Sequence, residues 1–177
     1  MRLRAPGAAL SSPPMPSKPL NPLKPRCRLT LIDRSGGSPR LNRTRLQRVL
    51  DAALAGARIR NAALTILLVT DGEAAGLHGA HFADPTTTDV MTFPDGSDDP
   101  ASGRRLLGDL AVCVDVAARE AMARGRPLAD ELTLYCLHGL LHLIGYDDVT
   151  PAKQTRMWNA QRRLLAAEGI VIEARPS

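Results

Sequence analysis

An apolar run in the last third of the chain, LYCLHGLLHLIGYDD, limits the possible folds more than any other segment. The run predicts a helix that is largely buried, because leucines flank its polar residues on both sides. His138 and His142 lie four residues apart in it, so their side chains share one face of the helix. An imidazole in apolar surroundings needs a polar partner, which the rest of the run must supply.

A shared metal ion is one such partner, since histidines at this spacing bind zinc in many helices. Gly145 allows the backbone to leave the helix in a left-handed conformation, and the turn can bring Asp147 or Asp148 back as a third ligand. Three protein ligands and an open position for water are typical of catalytic zinc, which lowers the pKa of that water to about 7. Helices with two histidines at this spacing also occur without any metal.

The residue after the first histidine bears on the reaction. Zinc proteases of the H-E-x-x-H type carry a glutamate there as general base, whereas this chain has Gly139. Glycine can do no acid–base chemistry, but it could let a substrate or a backbone segment approach the metal closely. Peptide hydrolysis of the usual type is therefore disfavoured.

The rest of the pattern predicts one α+β domain with a mostly helical C-terminal end. Asp71 is expected to be the N-cap of a short helix. The expected strands cover residues 27–33, 62–70, 86–94 and 106–114, and the expected helices cover 41–57, 71–82, 115–125, 127–145 and 150–169.

Residues 1–25 differ from the remainder, the domain over residues 26–177. They hold half of the fourteen prolines and four of the five net positive charges, and predict a disordered, basic, proline-rich tail. Such a tail can assist contact with a polyanion or simply aid solubility. It lacks the apolar core of a signal peptide, although a transit peptide or a mis-assigned start codon would give a similar segment.

Composition bears on the cellular compartment and on whether the chain is a membrane protein. The three cysteines form neither a disulfide framework nor a CxxC pair, which favours a reducing cytosol. No apolar run reaches the roughly 18 residues that a membrane-spanning helix needs.

Three stretches resemble, in order, the signatures of the YbeY family of metal-dependent endoribonucleases and rRNA maturation factors. HGLLHLIGYDD is similar to the family's H-G-x-L-H-L-x-G-Y-D-H, and TDVMTFP is similar to its T-D/N-V-L-S-F-P strand. LLGDLAVCVDVAAREA is similar to its L-G-D-[IL]-x-I-S strand and the helix that follows. Together the three stretches align residues 27–170 with the family.

The resemblance implies an α+β fold with a small mixed, mainly parallel four-stranded sheet packed against helices, one of them a zincin-like metal helix. It implies one Zn²⁺ ion per chain, held by His138, His142 and Asp148. The implied activity is cleavage of single-stranded RNA in small-subunit rRNA 3′ end maturation and ribosome quality control. The implied partners are rRNA and ribosomal subunits in the cytoplasm, with neither DNA nor a membrane expected.

The chain departs from the family at two positions. Asp148 stands where the family closes its site with histidine, while Asp147 matches the family's own aspartate and is the weaker candidate ligand. A carboxylate adds negative charge, should make the metal a poorer Lewis acid and could widen metal choice towards manganese. The family's cleft arginine aligns with Phe82, which leaves Arg104 and Arg105 as candidates to bind RNA phosphate.

Other polar and aromatic residues favour structural interpretations. Cys136 lies about 200° around the helix from His138 and is expected in the core. Minor or purely structural roles are also expected for His78, His81, Thr88, Asp89, Asp109, Cys113 and Trp158.

Two further functional hypotheses stay open at this point. One is a zinc hydrolase of a peptide or another amide, and the other is a non-catalytic ribosome-assembly factor with a structural metal.

Overall fold

Strands and helices alternate in the first half of the domain, and three helices complete it. The structure is a computed structural model, and it describes residues 26–37, 41–82 and 88–173. The strands are β1 (Arg26–Asp33), β2 (Asn61–Val69), β3 (Val90–Pro94) and β4 (Arg105–Cys113). The helices are α1 (Arg43–Gly56), α2 (Asp71–Phe82), α3 (Val114–Ala123), α4 (Leu128–Leu143) and α5 (Pro151–Ala166). The predicted tail over residues 1–25 lies outside the described residues.

The four strands form one mixed sheet in the order β1-β2-β4-β3. β1, β2 and β4 run parallel, and β3 is an edge strand antiparallel to β4, from Val90 opposite Val112 to Pro94 opposite Gly108. Parallel neighbours need crossover connections, and α1 provides the one between β1 and β2. The predicted mixed, mainly parallel sheet is confirmed.

Helix α4 lies at the centre of the domain and packs against β3, β4, α1, α3 and α5. Its residues from Glu131 to Leu137 are all buried, as are Gly139, Leu140 and Leu141. A helix covered on nearly every side has to be apolar on nearly every side, which accounts for the leucine-rich run. Burying one such leucine contributes roughly 1.5–3 kcal/mol to stability.

At Gly139, helix α4 packs closely against the sheet. A Cβ atom there would lie 2.8 Å from Cδ2 of Leu110 and 3.0 Å from Cγ2 of Val90. Gly139 was expected to let a substrate or a backbone segment come close; in the structure the space at Gly139 is occupied by side chains of β3 and β4, which leave no room there for a substrate. This contact instead holds the neighbouring His138 beside the start of β3.

The start of α2 differs from the prediction by one residue. The hydroxyl of Thr70, not the carboxylate of Asp71, accepts the backbone N–H of Glu73 at 3.4 Å. Threonine and aspartate both cap helices well, so sequence alone could not separate the two. Asp71 lies in the first turn and forms an ion pair with Arg119. Within the described ranges, no helix is long and apolar enough to cross a membrane.

Candidate metal centre

His138 and His142 face each other at the C-terminal end of α4. Their Nε2 atoms are 3.2 Å apart, and their rings are nearly perpendicular, at 88°. At that distance at most one of the two facing nitrogens carries a proton in the metal-free protein. The helix therefore directs two ring nitrogens towards one position.

The chain after α4 turns back towards these rings. Gly145 adopts a left-handed conformation with φ +94°, and the N–H of Tyr146 donates to the carbonyl of Leu141 at 2.9 Å. The turn brings Oδ2 of Asp148 to 3.9 Å from Nε2 of His138 and 3.8 Å from Nε2 of His142. The three side chains are partly exposed, as an exchangeable ligand site requires.

The three ligand atoms fit a tetrahedral metal ion. Their separations of 3.2, 3.8 and 3.9 Å bracket the separation in tetrahedral zinc. With bonds of about 2.1 Å, that separation is about 3.4 Å. A set of two imidazoles and one carboxylate suits zinc and neighbouring transition metals. The ligand assignment remains a prediction that this geometry supports.

Burial lowers the pKa of His138, and the neighbouring His142 lowers it further, while Asp89 and Asp148 act in the opposite direction. His138 is therefore uncharged at neutral pH. The neutral imidazole is the form that binds metals.

The second ring nitrogen of His138 contacts α5. Nδ1 of His138 lies 2.7 Å from Nε2 of Gln161, a residue that is 3% exposed. Gln161 was not predicted as a functional residue. The available signal was its place among the buried residues Met157, Ala160 and Leu165, where a polar side chain needs a partner.

Two cavities open beside the histidines. The larger has a volume of about 700 Å³ and is lined by His138, Asp148, Asp89, Tyr135 and Trp158 among others. The smaller, of about 250 Å³, is lined by both histidines together with His78, Thr88, Val90, Met91 and Thr92. His78 lies near the cleft, as expected, and Thr88 and Asp89 also line the cavities beside the candidate centre. His81 instead packs edge-on against Phe93.

A buried ion cluster forms part of the wall of the larger cavity. Glu131 is fully buried and accepts hydrogen bonds from Arg124 at 2.9 Å and from Arg126 at 3.0 Å. This cluster was not predicted either, because an acidic residue in the first turn of a helix is usually solvated.

Arg104 and Arg105 lie far from the histidines. Arg105 begins β4, whereas Val112, near the end of the same strand, pairs with Val90 beside the candidate centre. Seven residues of strand separate these two positions by roughly 23 Å. The two arginines are therefore poorly placed to bind the phosphate that reacts.

Cys136 and Cys113 are buried, as predicted. Burial raises the pKa of the Cys136 thiol to about 12 and that of the Cys113 thiol to about 11. Cys113 also belongs to a second group of possible ligands with Asp71 and Asp115. In that group Asp71 already binds Arg119 and the Cys113 thiol, and Asp115 accepts the N–H of Asp71, so these groups satisfy one another.

The family model described as endoribonuclease YbeY matches residues 37–169 of this chain. Curated proteins with that name include one from Thermobifida fusca, 40% identical over 110 residues, which are 59% of this chain and 71% of the relative. One from Kineococcus radiotolerans is 42% identical over 59% of this chain and 63% of its own length. One from Anaeromyxobacter dehalogenans is 41% identical over 72% of this chain and 65% of its own length.

The fold has a counterpart among solved structures. The solution structure of TM1509 from Thermotoga maritima superposes with a TM-score of 0.54, covering 79% of this chain and 88% of that protein. At 22% identity this likeness bears on the fold alone. The family match is more specific, since it runs from before α1 to beyond α5 and includes both histidines and Asp148. The protein therefore belongs to the endoribonuclease YbeY family.

Proposed function

We propose that this protein is a metal-dependent endoribonuclease that cleaves single-stranded RNA during the maturation of ribosomal RNA. The observation that carries the proposal is the convergence of Nε2 of His138, Nε2 of His142 and Oδ2 of Asp148 within a chain of this family. The activity follows from the family, and the convergence of the three atoms supports this position as the site where it takes place.

One Zn²⁺ ion per chain is the metal that we propose for the site. Zinc held by these residues would supply a Lewis acid for a phosphoryl oxygen and would lower the pKa of water towards about 7. His138 and His142 would each contribute a neutral nitrogen, and Asp148 would contribute one negative charge. The loaded site would then keep a net positive charge, which favours an anionic substrate.

Hydrolysis of a peptide or another amide is not favoured. A zinc protease of the H-E-x-x-H type needs a glutamate at the position of Gly139. Leu110 and Val90 fill the space that any side chain there would require. The packing of α4 on the sheet therefore excludes that general base.

Arg156 is a better placed candidate for RNA phosphate than Arg104 or Arg105. Its guanidinium carbon lies 5.0 Å from the centre of the Tyr146 ring, two residues before Asp148. It is exposed, and within the described ranges it forms no ion pair or hydrogen bond. A guanidinium that lies over an aromatic ring can still donate N–H groups to a phosphate.

The finer biological assignment is also a proposal. We propose rRNA and ribosomal subunits as partners, the 3′ end of small-subunit rRNA as the processed site, a further role in ribosome quality control, and the cytoplasm as the location.

The test compares single-stranded RNA, double-stranded RNA and casein as substrates for the purified full-length protein and for His142→Ala. Metal content is measured in parallel by mass spectrometry. We expect the parent protein to contain close to one zinc and to cleave only single-stranded RNA, and His142→Ala to lose both properties. Casein cleavage without RNA cleavage would support the hydrolase alternative. Bound zinc with no cleavage of any substrate would support a structural metal.

A further inference from the structure

Gln161 makes one side-chain hydrogen bond within the described residues, and it makes it to a proposed metal ligand. We infer that Gln161 is a positioning residue whose amide holds the His138 ring with Nε2 directed at the shared ligand position. The inference rests on the ligand set given under the proposed function. It assigns a role to α5, which contributes none of those ligands.

Burial gives the first argument. Glu131, Thr133 and Gln161 are the buried polar or charged residues in the described part of the chain. Glu131 is held by two arginines, and the hydroxyl of Thr133 donates to the carbonyl of Ala129 in its own helix. Among the described residues, the side chain of Gln161 is hydrogen-bonded to Nδ1 of His138 alone, at 2.7 Å. An amide buried on an apolar stripe costs stability unless it is bonded, so the contact with His138 accounts for its presence.

The chemistry of an amide gives the second argument. In the structure the Gln161 amide N–H donates to Nδ1, which leaves the ring proton of His138 on Nε2, where it can point at Nε2 of His142. When Nε2 binds a metal ion, the ring proton must move to Nδ1, which then becomes a donor. Rotating the amide by 180° presents its oxygen to that donor without displacing either side chain. Glutamine can therefore support the ring both with and without metal.

Charge gives the third argument. A carboxylate could also accept the Nδ1 proton, as it does in many zinc sites. Asp148 already supplies one negative charge, however, and a second would cancel the net positive charge of the loaded site. A neutral amide orients His138 and leaves that charge unchanged.

The experiment measures zinc affinity by competition with a chromogenic chelator, with Zn²⁺ added to metal-free full-length protein. Gln161→Leu removes the hydrogen bond while keeping a similar volume. Gln154→Leu is the matched control, because Gln154 lies two turns earlier on α5, lines the same cavity and makes no side-chain hydrogen bond within the described ranges. Gln161→Glu restores an acceptor, and His142→Ala tests the ligand set itself.

We expect Gln161→Leu to weaken zinc binding by roughly 10- to 100-fold, and both Gln161→Glu and Gln154→Leu to stay within about threefold of the parent. Parent affinity in Gln161→Leu, or equal losses in Gln161→Leu and Gln161→Glu, would overturn the inference. If His142→Ala retains the parent affinity, the proposed ligand set fails first, so the two failures are distinguishable.

A second readout does not depend on metal. Long-range ¹H–¹⁵N NMR of the metal-free protein reports which nitrogen of each neutral imidazole carries the proton, and the spectrum of His138→Ala identifies the relevant signal. We expect the proton on Nε2 in the parent and on Nδ1 in Gln161→Glu, because a carboxylate can only accept. The same tautomer in both proteins would show that residue 161 does not control the ring.

Discussion

Asp147 and Lys153 form an ion pair with 2.6 Å between Oδ2 and Nζ. The other carboxylate oxygen of Asp147 accepts the backbone N–H groups of Asp148, at 2.7 Å, and Val149, at 3.1 Å. The hydrogen bond from Lys153 lowers the pKa of Asp147, and the N–H of Val149 adds to this effect. Both oxygens of Asp147 thus accept hydrogen bonds, one from backbone N–H groups of the turn and the other from Lys153. The carboxylate of Asp148 instead faces the two imidazoles.

This contrast predicts different effects for the two adjacent aspartates. Asp148→Ala should weaken zinc binding by at least about 10-fold, because one of three protein ligands is lost, and Asp148→His should retain binding, because imidazole is a good zinc ligand. Asp147→Ala should have a smaller effect on zinc and should mainly lower the stability of the turn. Chelator competition on the three variants measures the first effect, and thermal unfolding measures the second. Loss of zinc in Asp147→Ala with retention in Asp148→Ala would shift the ligand by one residue.

The choice between the two aspartates shows which parts of the candidate metal site could be predicted from the sequence and which could not. Helical spacing was enough to place His138 and His142 on one face, and Gly145 was enough to predict the turn. Spacing alone left Asp147 and Asp148 equivalent, because the direction of each side chain depends on hydrogen bonds within the turn. Only the resemblance to the family favoured Asp148, and the partners of Asp147 now give a physical reason for that choice.

The two histidines and the adjacent cysteine of α4 should behave oppositely. His138→Ala and His142→Ala should each lose bound zinc, whereas Cys136→Ala should retain it, since Cys136 is fully buried in the core. Removing the buried sulfur should lower the free energy of unfolding by about 1 kcal/mol. Metal content by mass spectrometry and chemical unfolding test these expectations. Full zinc occupancy in both histidine variants would contradict the site.

Gly139→Ala should destabilise the domain although alanine is the better helix former. The new methyl group would lie against Leu110 and Val90, and overpacking should outweigh the gain in helix propensity by about 1–2 kcal/mol. Gly76→Ala is the matched control, because Gly76 lies within α2 with open space around it and should gain about 0.5–1 kcal/mol. Urea unfolding of both variants measures the difference. Equal stabilisation by the two substitutions would show that α4 does not depend on close approach to the sheet.

Tertiary contacts explain why some structural features could be predicted from the sequence and others could not. The order of strands and helices follows from local periodicity, and it was predicted correctly throughout the described residues. Gln161 contacts His138 on α4, a helix distant from it in the chain. Glu131 contacts Arg124 and Arg126, which lie in the loop between α3 and α4. No periodic pattern predicts such contacts. A polar residue at an otherwise apolar position was the one indication of them in the sequence.

Glu131→Ala should be strongly destabilising. It would leave Arg126, whose side chain is 11% exposed, as a charge without its buried partner, at a cost of about 3 kcal/mol. Glu120→Ala is the control, because Glu120 pairs with the same Arg124 at the surface and should change stability by no more than about 0.5 kcal/mol. Chemical denaturation provides both values. A loss below about 1 kcal/mol in Glu131→Ala would mean that solvent reaches the arginines readily.

Arg156 and Arg105 offer a direct comparison of two exposed arginines for RNA binding. The guanidinium carbon of Arg156 lies over the Tyr146 ring beside the candidate metal centre. Arg105 instead begins β4, at the far end of that strand from Val112, whose partner Val90 lies beside the centre. One charge-assisted contact to phosphate should make Arg156→Ala bind single-stranded RNA roughly threefold to tenfold more weakly. The slope of log affinity against log salt concentration is negative, and it should become less negative by about 0.7.

Arg105→Ala should change both quantities less. Arg156→Lys should recover the slope but only part of the affinity, because lysine keeps the charge and lacks the planar guanidinium that can bind phosphate through two N–H groups. Fluorescence anisotropy with a labelled RNA oligonucleotide at several salt concentrations measures both quantities. The metal-free protein is used, so that binding is observed without cleavage. If Arg105→Ala weakens binding more than Arg156→Ala does, the RNA follows β4 rather than the turn that carries Asp148, and the proposed position of the phosphate is wrong.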